Sequence, residues 1–257
     1  MAVKKIHKPK HIIQSVVAIF TTPFAPRSLP ATLNHRSSIN ILTIPTGFRP
    51  LDKALGLGGL PQGKITELIG STTAPLGGGT ANIAARIASK VQRKQQPVTI
   101  IDLSHEFDPW QAERCGLAAP QLLLTRPDTA FDALTTLENA ARSEGLIIVG
   151  LGIAPELLSH ADPDLLKTLL GRLRTIVKAS DSVFLFITSL KNNDPFDPAN
   201  YPAGFPLAEI ADIRLWVQDE TWTHQAGIAT TYKATLTVIK NNLAIAGTSA
   251  DIKIKFS

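Results

Sequence analysis

Apolar residues along this chain fall into short runs separated by amphipathic stretches, and the two kinds alternate. Residues 65–69, 98–103, 122–124, 146–151 and 183–187 are apolar runs of strand length, the pattern of parallel strands buried on both faces. Between them, 80–91, 108–115 and 129–142 carry the spacing of helices. A longer helix begins at Asp162-Pro163 and sets Leu165, Leu166, Leu169, Leu170, Leu173, Ile176 and Val177 on one face, with proline near its first turn. Residues 190–208 show no pattern and contain several prolines, so they read as a long loop. Beyond it, 213–217, 234–239, 243–246 and 252–256 alternate in the manner of strands, with turns at Lys240-Asn241-Asn242 and Gly247-Thr248-Ser249. The pattern predicts an α/β fold, a doubly wound and mostly parallel sheet with a C-terminal antiparallel extension.

Composition changes this picture at one place. Residues 1–50 hold Lys4, Lys5, Lys8, Lys10, Arg27, Arg36 and Arg49 and no acid, against a net +5 for all 257 residues, so the rest of the chain is net negative. Together with Pro9, Pro23, Pro26 and Pro30 this divides the chain into a basic arm, 1–41, and a core, 42–257. Such an arm suits phosphate backbones or an acidic partner; a solvated lead is the plainer alternative. No apolar run reaches the length of a membrane span and the first twenty residues lack a small-residue cleavage site, which points to a cytoplasmic protein without a membrane contact. The single cysteine, Cys115, excludes an internal disulfide and a cysteine-based zinc site and reads as a core residue, and the six histidines lack ligand spacing, so no metal is expected.

Candidate chemistry centres on one strand, loop and helix. After the apolar run 65–69 come Gly70, a loop ending in Gly77-Gly78-Gly79-Thr80, and the helical stretch that follows. This order places backbone N–H groups and a helix N-terminus where a phosphate binds. A phosphate loop of the form G-x-x-x-x-G-K-[ST] also needs a lysine for the β- and γ-phosphates and a hydroxyl for magnesium. Thr80 supplies the hydroxyl, but Gly79 stands in the lysine position, and seven residues rather than four separate Gly70 from Gly78. The loop then has two readings, weak ATP or anion binding through N–H groups and dipole, or a plain strand-to-helix connection.

The core resembles the RecA family of recombinases. The resemblance rests on Ile44-Pro45-Thr46-Gly47 with Leu51-Asp52 and Ala54-Leu55-Gly56, on Gly58-Gly59-Leu60-Pro61-Gln62-Gly63, on Ile101-Asp102 with His105 and Asp108-Pro109, on Pro127-Asp128-Thr129 with Ala133-Leu134, and on Val238-Ile239-Lys240-Asn241. These occur in family order. The likeness implies a parallel-sheet ATPase core that binds single-stranded DNA and assembles into filaments. It also implies vestigial nucleotide contacts at Gly70, Gly77, Gly78, Gly79, Thr80, Asp108 and Trp110, the last beside Gln111, which replaces an adenine-stacking tyrosine. DNA contacts are expected at Lys4, Lys5, Lys8, Lys10 and, in the 190–208 loop, at Lys191, Asn192, Asn193 and Tyr201. Subunit contacts are expected at Phe20, whose Phe-Thr-Thr-Pro resembles a recombinase docking tether, and at Lys240 and Asn242, the latter replacing an interface lysine.

Departures from the family pattern fall on the hydrolytic apparatus. Gly79 replaces the lysine, Ser104 the glutamate that activates water, Gly150 the aspartate behind the magnesium shell and Ser189 the glutamine that senses the γ-phosphate. Removal of one such group costs on the order of 10²–10³ in rate. The expectation is therefore a non-hydrolysing accessory or DNA-binding scaffold in DNA repair or recombination, with no catalytic residue and no required cofactor. It is similar to the degenerate recombinase paralogues and to the ImuA-type accessory proteins, which implies a place in the SOS response. The partners implied are single-stranded DNA and a RecA-type recombinase or other repair protein, with the chain itself a monomer or small oligomer. The alternative is a DNA-dependent ATPase with an unconventional phosphate loop.

Overall fold

In the computed structural model, residues 41–70, 78–152, 158 and 161–256 are described. Among the described residues, ten strands and six helices follow one another as β1 (Thr43–Ile44), α1 (Arg49–Ala54), β2 (Leu60–Pro61), β3 (Lys64–Gly70), α2 (Gly79–Gln92), β4 (Val98–Asp102), α3 (Pro109–Arg114), β5 (Leu123–Thr125), α4 (Ala130–Ala140), β6 (Gly145–Gly152), α5 (Pro163–Lys178), β7 (Ser182–Ser189), α6 (Leu207–Ile210), β8 (Ile213–Gln225), β9 (Ile228–Asn241) and β10 (Ser249–Lys255). Strands β1 and β2 form a small antiparallel pair. The main sheet has the order β10-β9-β8-β3-β7-β6-β4-β5, parallel from β8 to β5 and antiparallel from β8 to β10. The doubly wound sheet and its antiparallel extension are as the pattern predicts.

Two apolar layers flank the sheet. Ile83, Ile87 and Val91 of α2 pack with Leu68, Ile100, Ile148 and Leu185 on one face. Leu134 and Leu137 of α4 and Leu166, Leu170 and Leu173 of α5 pack with Ile65, Ile147, Phe184 and Phe186 on the other. Burying both faces is what lets the parallel strands be continuous apolar runs. Three helices start where a side chain accepts their first free N–H groups: Asp108 caps α3, Thr129 caps α4 and Asp162 caps α5. Cys115 is fully buried, and burial raises its thiol pKa to about 11.

Four sequence expectations change. The run 122–124 is not a buried strand: β5 is the sheet's edge, and Leu123 is 63% exposed with Leu124 exposed beside it. Leu165 faces solvent instead of joining the inner stripe of α5. The segment 243–246 is no strand but the connection between β9 and β10, tied to α1 by Asn241 Nδ2 on Leu55 O (3.1 Å) and Thr248 Oγ1 on Ala54 O (2.8 Å). Finally, the stretch 190–208 is a built segment, with a 3₁₀ turn at Pro198–Asn200 and the start of α6.

Its order comes from a buried ionic cluster. Glu67 of β3 and Arg214 of β8 are neighbours in register, both buried, with Nε and Oε2 2.7 Å apart. Tyr201 Oη donates to Glu67 Oε1 at 2.6 Å and accepts from Arg214 at 2.8 Å, and Thr188 Oγ1 donates to the same carboxylate at 2.9 Å. The same guanidinium nitrogen, Nη2, also donates to Pro195 O at 2.7 Å. Both Glu67 oxygens and two of the three Arg214 nitrogens are thereby paired, which offsets the cost of carrying an ion pair inside. Tyr201, expected at a DNA-contacting position, is half-buried with its hydroxyl engaged in this cluster.

Candidate nucleotide edge and the residues around it

Register brings the carboxyl ends of the central strands together. Gly70 of β3 lies opposite Ser189 of β7, and Asp102 of β4 lies opposite Gly150 of β6. In open α/β sheets this edge is where ligands sit. Gly70 is required there: a Cβ on it would come within 2.5 Å of Thr80 Cγ2, so strand end and helix start meet closely. Thr80 is accordingly buried against Gly70. Gly77 lies outside the described residues, and Gly78 uses its carbonyl for Ala81 N, Asn82 N and Asn82 Nδ2.

Gly79, the first residue of α2, has no room for a side chain. A Cβ built on it would lie 1.8 Å from Tyr232 Oη and 2.2 Å from Glu220 Oε2. Tyr232 comes from β9, is fully buried, and donates its hydroxyl to Glu220 Oε2 at 2.9 Å. Burial first, and the Glu220 carboxylate second, push the phenol far above its ordinary range. Glu220 is turned inward by an irregularity in β8 between Gln218 and Thr221, where Asp219 takes φ 50°. A stack holds this hairpin against the helices: Tyr232 against Trp222 (4.6 Å), Trp222 on Phe256 (5.8 Å, 5° between planes), Arg114 over Phe256 (5.1 Å) and over Trp110 (5.2 Å). The sequence reading missed Tyr232 and Glu220, since no local pattern joins a strand of the extension to the start of a helix far upstream.

Asp102 organises the opposite side of the edge. It is buried and accepts from Glu106 N (3.1 Å), Phe107 N (3.1 Å) and Arg126 Nε (2.9 Å). Ser104 turns its hydroxyl onto the same carboxylate at 3.4 Å. Arg126 is itself held, its second nitrogen on Phe107 O at 2.8 Å. Gly150 faces this group, and a Cβ there would lie 3.6 Å from Asp102 Oδ1. Space exists for a side chain at 150, but an added carboxylate would point at one already present.

The remaining expected positions separate. Asp108 accepts from Trp110 N (2.9 Å) and Gln111 N (3.3 Å), so its carboxylate serves as a helix cap. Trp110 is 66% exposed. Lys191, Asn192 and Asn193 are exposed at the start of the built segment, where Asn192 Nδ2 donates to Asp197 and Lys191 N to Asn200 Oδ1. Asp197 is held below the usual carboxylate range by the Ala199 N–H first and by Asn192 second, which keeps an anion beside Lys191. Lys240 Nζ donates to Ala208 O (3.0 Å) and Glu209 O (2.9 Å), and Asn242 is exposed with its N–H on Asp212 O. Lys4, Lys5, Lys8, Lys10 and Phe20 lie outside the described residues. Among the described residues there is no cluster of metal-ligating side chains, and no helix is long and apolar enough to cross a membrane.

The family described as RecA N-terminal domain matches residues 13–257. Protein RecA of Thermus thermophilus is 30% identical over 230 residues, covering 83% of this chain and 66% of that protein. Protein RecA of Thermus aquaticus is 27% identical over 241 residues (87% and 70%), and that of Bacillus subtilis 27% over 240 residues (87% and 68%). The chain thus spans about two thirds of the length of these relatives.

Proposed function

The chain belongs to the RecA family, and from that premise we propose that it is a non-hydrolysing accessory protein of DNA repair or recombination, using its core as a docking or DNA-binding scaffold. The observation that carries this reading is the filled space at Gly79, where Tyr232 and Glu220 occupy the volume a phosphate-loop lysine would take. Phosphoryl transfer depends on cations placed against the β- and γ-phosphates. Here the nearest charged group is a carboxylate, which repels them. Ser104 is turned onto Asp102, and the Asp102 oxygens already face two N–H groups and a guanidinium, so that carboxylate has no oxygen free for a metal shell. Weak anion binding by the loop N–H groups is compatible with this arrangement, and productive Mg-ATP binding is not.

In this role the basic arm contacts single-stranded DNA, and the partner is a RecA-type recombinase or another repair protein. ATP hydrolysis measured with and without single-stranded DNA, beside an active recombinase under the same conditions, tests the reading. No turnover above background is expected. Turnover within about tenfold of the active enzyme overturns it, because each missing group is worth more than that.

A further inference from the structure

At the end of the sheet opposite the glycine-rich loop, a groove of about 410 Å³ opens between the start of β3 and the last turns of α5. Its volume is in the range of small-ligand sites, roughly 300–1,000 Å³. Three cations line it: Lys64, the first residue of β3, and Arg174 and Lys178 of α5. Arg174 and Lys178 are one helical turn apart, so their like charges lie side by side and repel. The one acid in the lining is Asp212. This residue is buried, and its carboxylate accepts from Ile65 N at 3.3 Å and approaches Arg174 only to 4.0 Å. Among the described residues, no acid pairs with Lys64 or Lys178.

Lys240 adds to the same field. Its ammonium, fixed on Ala208 O and Glu209 O, has its pKa lowered by burial first and the Arg214 charge next, with the groove's Asp212 opposing and Arg174 adding to that shift, so it shares a field with the groove. A cation at the end of a helix is ordinarily explained by the helix dipole, and Lys178 fits that account. Lys64 and Arg174 do not.

We propose that this groove is an anion site for a phosphate group, bound by Lys64, Arg174 and Lys178. Arg174 offers the planar fork that pairs with two phosphate oxygens, while the two lysines act as point charges. The phosphate comes either from a nucleic-acid backbone or from a free phosphate-bearing molecule. This site is separate from the edge near Gly79 and does not depend on the scaffold reading.

Calorimetric titration of the full-length protein at low salt, with tripolyphosphate and separately with oligothymidylate, tests it. The variant carrying Lys64→Gln and Arg174→Gln should lose at least roughly tenfold in affinity for tripolyphosphate, the scale of one charge-assisted contact. Lys178→Gln, a single exposed change with no packing to lose, should lose a smaller but measurable factor. Lys253→Gln, an exposed cation of β10, should change nothing. A matching loss for oligothymidylate assigns the phosphate to a nucleic-acid backbone, and a loss for tripolyphosphate alone assigns it to a free molecule. Unchanged affinity for both probes in folded variants, or an equal loss in Lys253→Gln, overturns the proposal.

Discussion

Tyr232 decides what Gly79 can become. Gly79→Lys introduces the lysine that the G-x-x-x-x-G-K-[ST] form calls for, yet its first side-chain atom would overlap Tyr232 Oη and Glu220 Oε2. Overpacking of this kind costs about 1–3 kcal/mol, so the variant should unfold at lower urea than the wild type and gain no ATPase activity. Wild-type stability together with new hydrolysis would contradict the account. The chain's two tyrosines, Tyr201 and Tyr232, offer a second test at this scale. Both phenols are raised, in each case by burial first and a carboxylate next. A folded pKa above the unfolded value of about 10 gives stability that is complete below pH 10 and lost as pH rises above it. Absorbance at 295 nm should therefore show no phenolate until the protein unfolds, in one step and not as a free titration near pH 10. Neither tyrosine's role could be read locally. Each depends on a carboxylate brought from a distant strand.

Among the elements, periodicity located β3, β4, β6 and β7 because burial on both faces leaves an unbroken apolar signature in each, and it found β5 by its apolar run although that run is exposed. It failed where order has another source. The outer half of the β8–β9 hairpin is polar and exposed, so the alternation at 213–217 stops well before β8 does at Gln225. The 190–208 segment has no period because its order is set by Glu67 and Arg214, which lie on β3 and β8. Removing one partner of such a buried pair leaves the other charge unmatched, at a cost of about 3–5 kcal/mol. Arg214→Met should show that loss in urea unfolding and should also open the segment around Phe196 to limited proteolysis. The double change of Glu67→Gln with Arg214→Met should recover part of the loss. A single variant as stable as wild type, with the segment still protected, would mean that the cluster does not hold it.

For the molecule as a whole, the unequal distribution of charge governs encounters with polyanions. Seven cations without an acid in residues 1–50 are enough to displace several counterions from DNA, while the rest of the chain is net negative. Affinity for single-stranded DNA should fall steeply between low and physiological salt. Deleting residues 1–12, which removes Lys4, Lys5, Lys8 and Lys10, should flatten that slope and leave the thermal transition of the core in place. Identical affinity and slope after the deletion would make the arm a bystander. Assembly follows from the same scale. With the Lys240 ammonium tied to Ala208 O and Glu209 O and Asn242 uncharged, a nucleotide-bridged interface would have one engaged cation on one side and no lysine at Gly79 on the other. Each missing charge-assisted hydrogen bond weakens it by roughly 1.5–3 kcal/mol. Light scattering with ATP, magnesium and long single-stranded DNA should report a monomer or small oligomer, and long filaments of the protein alone would refute this.

The contact between Tyr232 and Gly79 also sets a direction in sequence space. A lysine introduced first collides with the tyrosine, and a tyrosine removed first leaves a void between β9 and α2 and strands the Glu220 carboxylate. Either step taken alone should therefore lower folding stability, so opening the start of α2 to a side chain calls for paired changes in the helix and in the hairpin.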